Sequence, residues 1–363
     1  MKARPRSPSR RQPPSSGRRP APLVFDLLVA LLALLAAAVA ARAAEPNRGL
    51  EVKLATILPL GTSGFDRLLE LRDAWGKSAG GAVVLKPVSA AHEGERQIVT
   101  HLAAGNYKAA LLSTVGLSEI DKSVTCLQLI PMQFRDWAEV DHVREKIRGD
   151  LEQRLRAKGY EVLFWADAGW VRYFSKTPAV RPADFQRHKL FVWAGEPQQM
   201  TILRSLGYQP VSLETDTIPT SLASGMITAV PVPPFLANAM QYTKWVHHMV
   251  DLNWVPIVGA AIVRREVWEQ VPASLRPGLL AAAATTGERI RARGREEDEQ
   301  AIVAMKKRGL TVHAVSPEVA AEWQAMAARV YPQIRGRMVP ADLFDRVQSE
   351  VAAYRASREG ATR

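Results

Sequence analysis

Cysteine is almost absent: Cys126 stands alone in 363 residues. An internal disulfide is therefore impossible, and no Cys-based metal cluster can form. The lone thiol reads as a small buried apolar residue. The short motifs of common catalysis and nucleotide binding, G-x-S-x-G, the P-loop, H-E-x-x-H and G-x-G-x-x-G, are missing as well. Beyond residue 41 no apolar run approaches the roughly 20 residues a spanning helix needs. Also lacking is a dense Lys/Arg stripe interleaved with aromatics, the footprint of a nucleic-acid binder. The net charge is +12, but residues 1–43 hold eight basic residues and one acid, leaving only +5 on the rest. That modest surplus argues against nucleic acid as a partner.

What remains is an ordinary globular composition, 47% hydrophobic and 23% charged, on a chain long enough for two lobes. Residues 1–20 are basic and rich in Pro and Ser. Residues 27–41 are an unbroken apolar run, followed by Ala41-Arg42-Ala43. This order predicts a secretory signal peptide over 1–44, a mature start near Ala44 or Glu45, and a periplasmic location. No Cys follows the run, so lipid attachment there is excluded.

The rest alternates strand and helix. Strands are expected at Glu51–Leu58, Ala82–Val88, Ala109–Ser113 and Tyr160–Trp165, with amphipathic helices between them. Such alternation indicates βαβ units and mainly parallel sheet. A second α/β block follows, with strands at Trp170–Phe174, His188–Trp193, Tyr208–Val211 and Ile227–Val230. Pro256–Val263 reads as a buried strand returning to the first block, and a long helix runs from about Ser274 to Arg308. The predicted architecture is α/β and two-lobed. Lobe 1 spans 45–168 with the strand and helix of about 257–315, lobe 2 spans 169–256, and the helices of 316–363 pack outside. Ligands favour such inter-domain clefts, beyond the carboxyl ends of the strands.

Candidate chemistry is sparse. His247-His248 is a poor bidentate pair, since neighbours in a strand point to opposite faces. His92, Glu93 and Glu95 precede a helix, where acids favour the helix dipole. Asp167 follows a strand without an evident partner. No enzyme, cofactor or metal is indicated.

The segments LATILPLGT (Leu54–Thr62), EGERQIVTHLAAGNYKAALLSTVGLSEID (Glu93–Asp121), LIPMQFRDWAEVDHV (Leu129–Val143), Pro178–Val192, SLGYQPVSLETDTIPTSLASGMI (Ser205–Ile227) and REVWEQVP stand in a telling order and spacing. From about Glu51 to Tyr331 the chain resembles the extracytoplasmic solute receptors of tripartite ATP-independent periplasmic (TRAP) transporters, the DctP-type family. The resemblance implies a type II-like periplasmic binding protein fold, with crossing strands and a long helix spanning the lobes. It also implies a noncatalytic receptor whose partners are the transporter's membrane subunits. In the family the ligand is usually a carboxylate held by an Arg, an Asn and an auxiliary Arg. Here those positions read Phe191, Val232 and Val171, with Arg172 one residue off.

A carboxylate buried without a cation costs several kcal/mol, on the order expected for any unpaired buried charge. Phe191, Val232, Val171, Trp165, Trp170, Trp193 and Phe235 are therefore expected to line an apolar cleft. Glu196, Gln198 and Gln199 are candidates for a polar head contact. A helical-repeat protein is a candidate further partner for such a hydrophobic cargo. Two competing expectations stand beside it: a receptor for an organic acid that brings in Arg172 through a strand bulge, and a ligand-sensing interaction protein. Each aromatic also reads as ordinary core.

Overall fold

The computed structural model describes residues 49–194 and 197–361. The expected signal peptide and Glu196 lie outside the described residues. The first sheet is built from β1 (Leu50–Thr56), β2 (Val83–Ser89), β3 (Ala109–Ser113), β4 (Tyr160–Trp170) and β10 (Pro256–Arg264), in the order β2-β1-β3-β10-β4. The helices α1 (Ser63–Ala79), α2 (Glu95–Ala103) and α3 (Thr114–Ile120) join the first strands. Thr62 caps α1 by accepting the Phe65 N–H, and Gly80 ends it at φ 54°, a left-handed turn natural to glycine. One face of this sheet packs Leu68, Leu71 and Trp75 of α1. The other packs Val143, Ile147 and Leu151 of α4 (Trp137–Ala157). Cys126 sits in that second core, where burial pushes its thiol up to about 12.

The second sheet has the order β11-β9-β5-β8-β6-β7. Its strands are β5 (Arg172–Ser175), β6 (Lys189–Trp193), β7 (Gln209–Leu213), β8 (Ala229–Val232), β9 (His248–Val250) and β11 (Thr311–His313). The helices α5 (Pro197–Ser205), α6 (Ile218–Ser224) and α7 (Pro234–Ala239) lie between them; α8 (Arg265–Gln270), α9 (Arg276–Lys306), α10 (Pro317–Ile334) and α11 (Ala341–Ala361) follow β10.

The first sheet is mixed rather than mainly parallel, because β10 runs antiparallel to both β3 and β4. β4 also continues to Trp170, past the expected end at Trp165. Opposite β4, Pro256 pairs with Trp170 and Val258 with Asp167, so one extra residue is accommodated in β4. Gly169, at φ 92°, lies in this bulge.

Among the segments that pass between the sheets are β4 into β5, β9 into β10, and α9. The first two are tied by backbone, since Val171 N–H donates to Val255 O (2.8 Å) and Trp254 N–H to Val171 O (3.1 Å). The long helix α9 packs Leu279, Ala283 and Ile290 into the first core. Further along it packs Ala301, Ile302 and Met305 into the second. Between these stretches lies Asp298, which accepts the Trp170 N–H (3.1 Å) and the Phe235 N–H (3.0 Å). A side chain at position 169 would collide with this carboxylate, placing Cβ 2.6 Å from its carbon. Glycine is therefore required there by both contact and backbone angle.

Two stability tests follow. Burial raises Asp298 to about 6 despite its two N–H donors. The folded state thus binds the proton more tightly than the unfolded chain. The associated stability is present in full below the ordinary aspartate range and is lost as pH rises through about 6. From pH 4 to pH 7, wild type should lose about 2 kcal/mol relative to Asp298→Asn, read from urea midpoints across that range. Glu95 is enclosed and accepts Ser113 N–H (2.7 Å), Ser113 Oγ–H (2.6 Å) and Gly116 N–H (2.8 Å). Glu95→Ala strands these donors and should cost about 3 kcal/mol in urea unfolding, with Glu95→Gln costing less.

Candidate functional site

Phe191, Val232 and Arg172 come together on one face of the second sheet. On β5, Tyr173 points into the core facing α10, and Phe174 into the core facing α6, α7 and α9. Phe191 and Val232 belong to the same cluster as Phe174. Arg172 pairs in register with Val232 and lies two residues before Phe174. By strand alternation it therefore emerges on the face that carries Phe191 and Val232. The bulge at Gly169 immediately precedes this change of register.

Convergence does not make an open apolar hollow. Phe191 and Val232 are fully enclosed, with Ile218, Leu222 and Ala237 in the same cluster. The Trp193 ring stands at 4.8 Å from that of Phe191, and its Nε1–H donates to Thr215 Oγ1 (3.1 Å). Trp193 and Phe235 pack against the cluster but stay half-exposed. The expected lining does not hold for Trp165 and Trp170, which belong to the core of the first sheet. Trp165 donates to Glu152 (3.1 Å), and Trp170 packs on Trp137 (4.8 Å between rings). Length explains the correction: β4 extends to Trp170, so both tryptophans are paired within the first sheet. Val171 is buried between the crossing segments. The Gln199 carbonyl oxygen is enclosed without a hydrogen-bond partner among the described residues, whereas Gln198 is exposed.

Arg172 is held by the protein itself. Its side chain is 8% exposed, and its Nη1 donates to Asp251, on the segment leading into β10. Its Nη2 donates to Glu299 of α9 at 3.3 Å. The adjacent Asp298 also feels its charge. Its Nε–H is buried and has no hydrogen-bond partner among the described residues. One cation thus stands among three carboxylates. Across the molecule, Arg96 of α2 bonds Glu119 (2.8 Å) and is attracted by Glu214, just beyond β7. This brings the end of the second sheet near the first.

Other sequence candidates have structural roles. Asp167 is enclosed and accepts Arg295 Nη2–H at 2.7 Å, with Arg144 at 3.7 Å; Arg295 also binds Asp141 and covers the Trp137 ring at 4.4 Å. Burial raises the Asp167 carboxyl, and Arg295 opposes the shift. His248 meets His313 of β11 at 3.0 Å, a partner invisible to a search for adjacent histidines. Glu93 binds His101 (3.1 Å) and Tyr107 (2.9 Å). Among the described residues, no group of three or more His, Cys, Asp or Glu is placed to hold a metal, and no helix is long and apolar enough to cross a membrane.

Comparison with known proteins agrees with this architecture. The family model for bacterial extracellular solute-binding protein, family 7 (DctP), matches residues 54–336. The C4-dicarboxylate-binding periplasmic protein DctP of Rhodobacter capsulatus is 26% identical over 211 residues, 58% of this chain and 63% of that protein. The match therefore spans less than two thirds of that relative's length. A TRAP periplasmic solute binding protein from Ochrobactrum anthropi, with its C-terminus bound in the ligand binding pocket, gives a TM-score of 0.77 at 17% identity, covering 86% of this chain and 98% of that one. Another, from Sulfurospirillum deleyianum with bound succinate, gives 0.72 at 20% identity, covering 82% and 98%. The solved structures share the two-lobed fold. The acids named for these relatives lend no support to an apolar cargo, and no support for a helical-repeat partner comes from them. With its model matched over most of the chain, this protein belongs to the DctP family of bacterial extracellular solute-binding proteins.

Proposed function

We propose that this protein is the extracytoplasmic receptor of a TRAP-type secondary transporter. It captures a small organic solute between its lobes and delivers it to the membrane subunits. The solute meets hydrocarbon rather than a free guanidinium in the second lobe. The supporting observation is that Arg172 is already engaged by Asp251 and Glu299, while the carbon left open beside the enclosed Phe191 and Val232 is that of half-buried Trp193 and Phe235. A carboxylate entering there would meet the repulsion of two or three fixed anions. Apolar contact supplies about 25 cal/mol per Å² removed from water without any ion pair. Export by the leader of residues 1–44 belongs to the same reading, with a mature N-terminus at Ala44 or Glu45 expected by intact mass.

A second reading, an organic acid gripped by Arg172, is favoured by that residue's buried and unpaired Nε–H and by the acids named for the relatives. Calorimetry separates the two. The first reading expects negligible heat with succinate, and an amphipathic or apolar solute retained through purification and detected by native mass spectrometry. Submillimolar succinate binding, weakened at least tenfold by Arg172→Gln, would establish the second and overturn the first.

A further inference from the structure

Arg172 presents an unusual combination. Its register opposite Val232 in β8 sets it on the face of Phe191 and Val232, where a guanidinium would select an anion. Yet both terminal nitrogens are engaged by carboxylates of this chain, from two different connections between the sheets. The exposures are unequal: 8% for the Arg172 side chain, against 52% for Asp251 and 68% for Glu299. Water can take over the acids if they are released. It cannot reach the cation as readily, and an enclosed guanidinium without a partner is costly.

We propose that Asp251 and Glu299 are specificity-determining residues of this receptor: they act as built-in counter-anions that withhold the Arg172 guanidinium from anionic solutes. Specificity then comes from repulsion as much as from attraction. An incoming carboxylate has to displace groups of its own charge, with Asp298 adding to the negative surplus. A neutral or apolar solute has no such competition. Were both acids replaced by amides, the cation would remain in place and its paired N–H groups would be open to a carboxylate fork. The inference deepens the receptor reading above and rests on it.

Acetate is the probe, with acetamide as its uncharged counterpart, followed by thermal-shift and calorimetric titration. The Asp251→Asn/Glu299→Gln variant should bind acetate at least tenfold more tightly than wild type, with no gain for acetamide. Adding Arg172→Gln should abolish the gain. An unchanged acetate response in the double variant, or a gain that survives Arg172→Gln, overturns the proposal. Should the double variant fail to fold by circular dichroism, Glu299→Gln alone decides, because Glu299 makes the longer contact and is the more exposed. It should raise acetate affinity at least threefold, and no rise overturns the proposal. Failure here differs from failure of the receptor reading, which fails when the wild-type protein neither retains a solute through purification nor binds succinate.

Discussion

Where the chain leaves one sheet for the other, the ladder that satisfies backbone N–H groups is interrupted, and other acceptors have to replace it. Asp298 is the central replacement. Its two oxygens take one N–H from the end of β4 and one from the start of α7, so a single carboxylate on α9 fixes chain from both lobes. The geometry demands a glycine beside it and burial of its charge. The bulge, the register of Arg172 and the closeness of α9 to β4 belong with this contact. Gly287 serves the same approach, since a Cβ there would lie 2.8 Å from Phe164.

Around that contact the charges of α9 are sorted by depth. Arg291 reaches the Trp165 carbonyl (2.8 Å) on an edge strand that has no further partner, and Arg295 pairs with buried Asp167. Glu299, one residue beyond Asp298, turns to Arg172. The run that reads as a solvated face in sequence is thus divided between water and the junction of the lobes. Asp298 is 2% exposed while Glu296 beside it remains open.

Much of the architecture was legible because it rests on local periodicity. β3 was placed residue for residue, and the returning strand and long helix were found within a few positions. The antiparallel setting of β10 was not legible, since pairing direction is a long-range property. The hydrogen-bond partners Arg295 of Asp167, Asp251 of Arg172 and His313 of His248 escape for the same reason: each lies more than 60 residues away. Trp165 and Trp170 were misplaced because burial in a core and burial in a cleft leave the same aromatic signature.

The helix α10 joins the two halves in a different way. Its first turns bury Val319 and Trp323 against the second sheet, with Trp323 Nε1–H donating to Val180 O (2.8 Å). Its last turns bury Val330 and Ile334 with the first sheet, and the Tyr331 hydroxyl reaches Pro131 O (2.8 Å). A rod pinned at both ends fixes the separation of its anchor points while leaving twist about its own axis comparatively cheap.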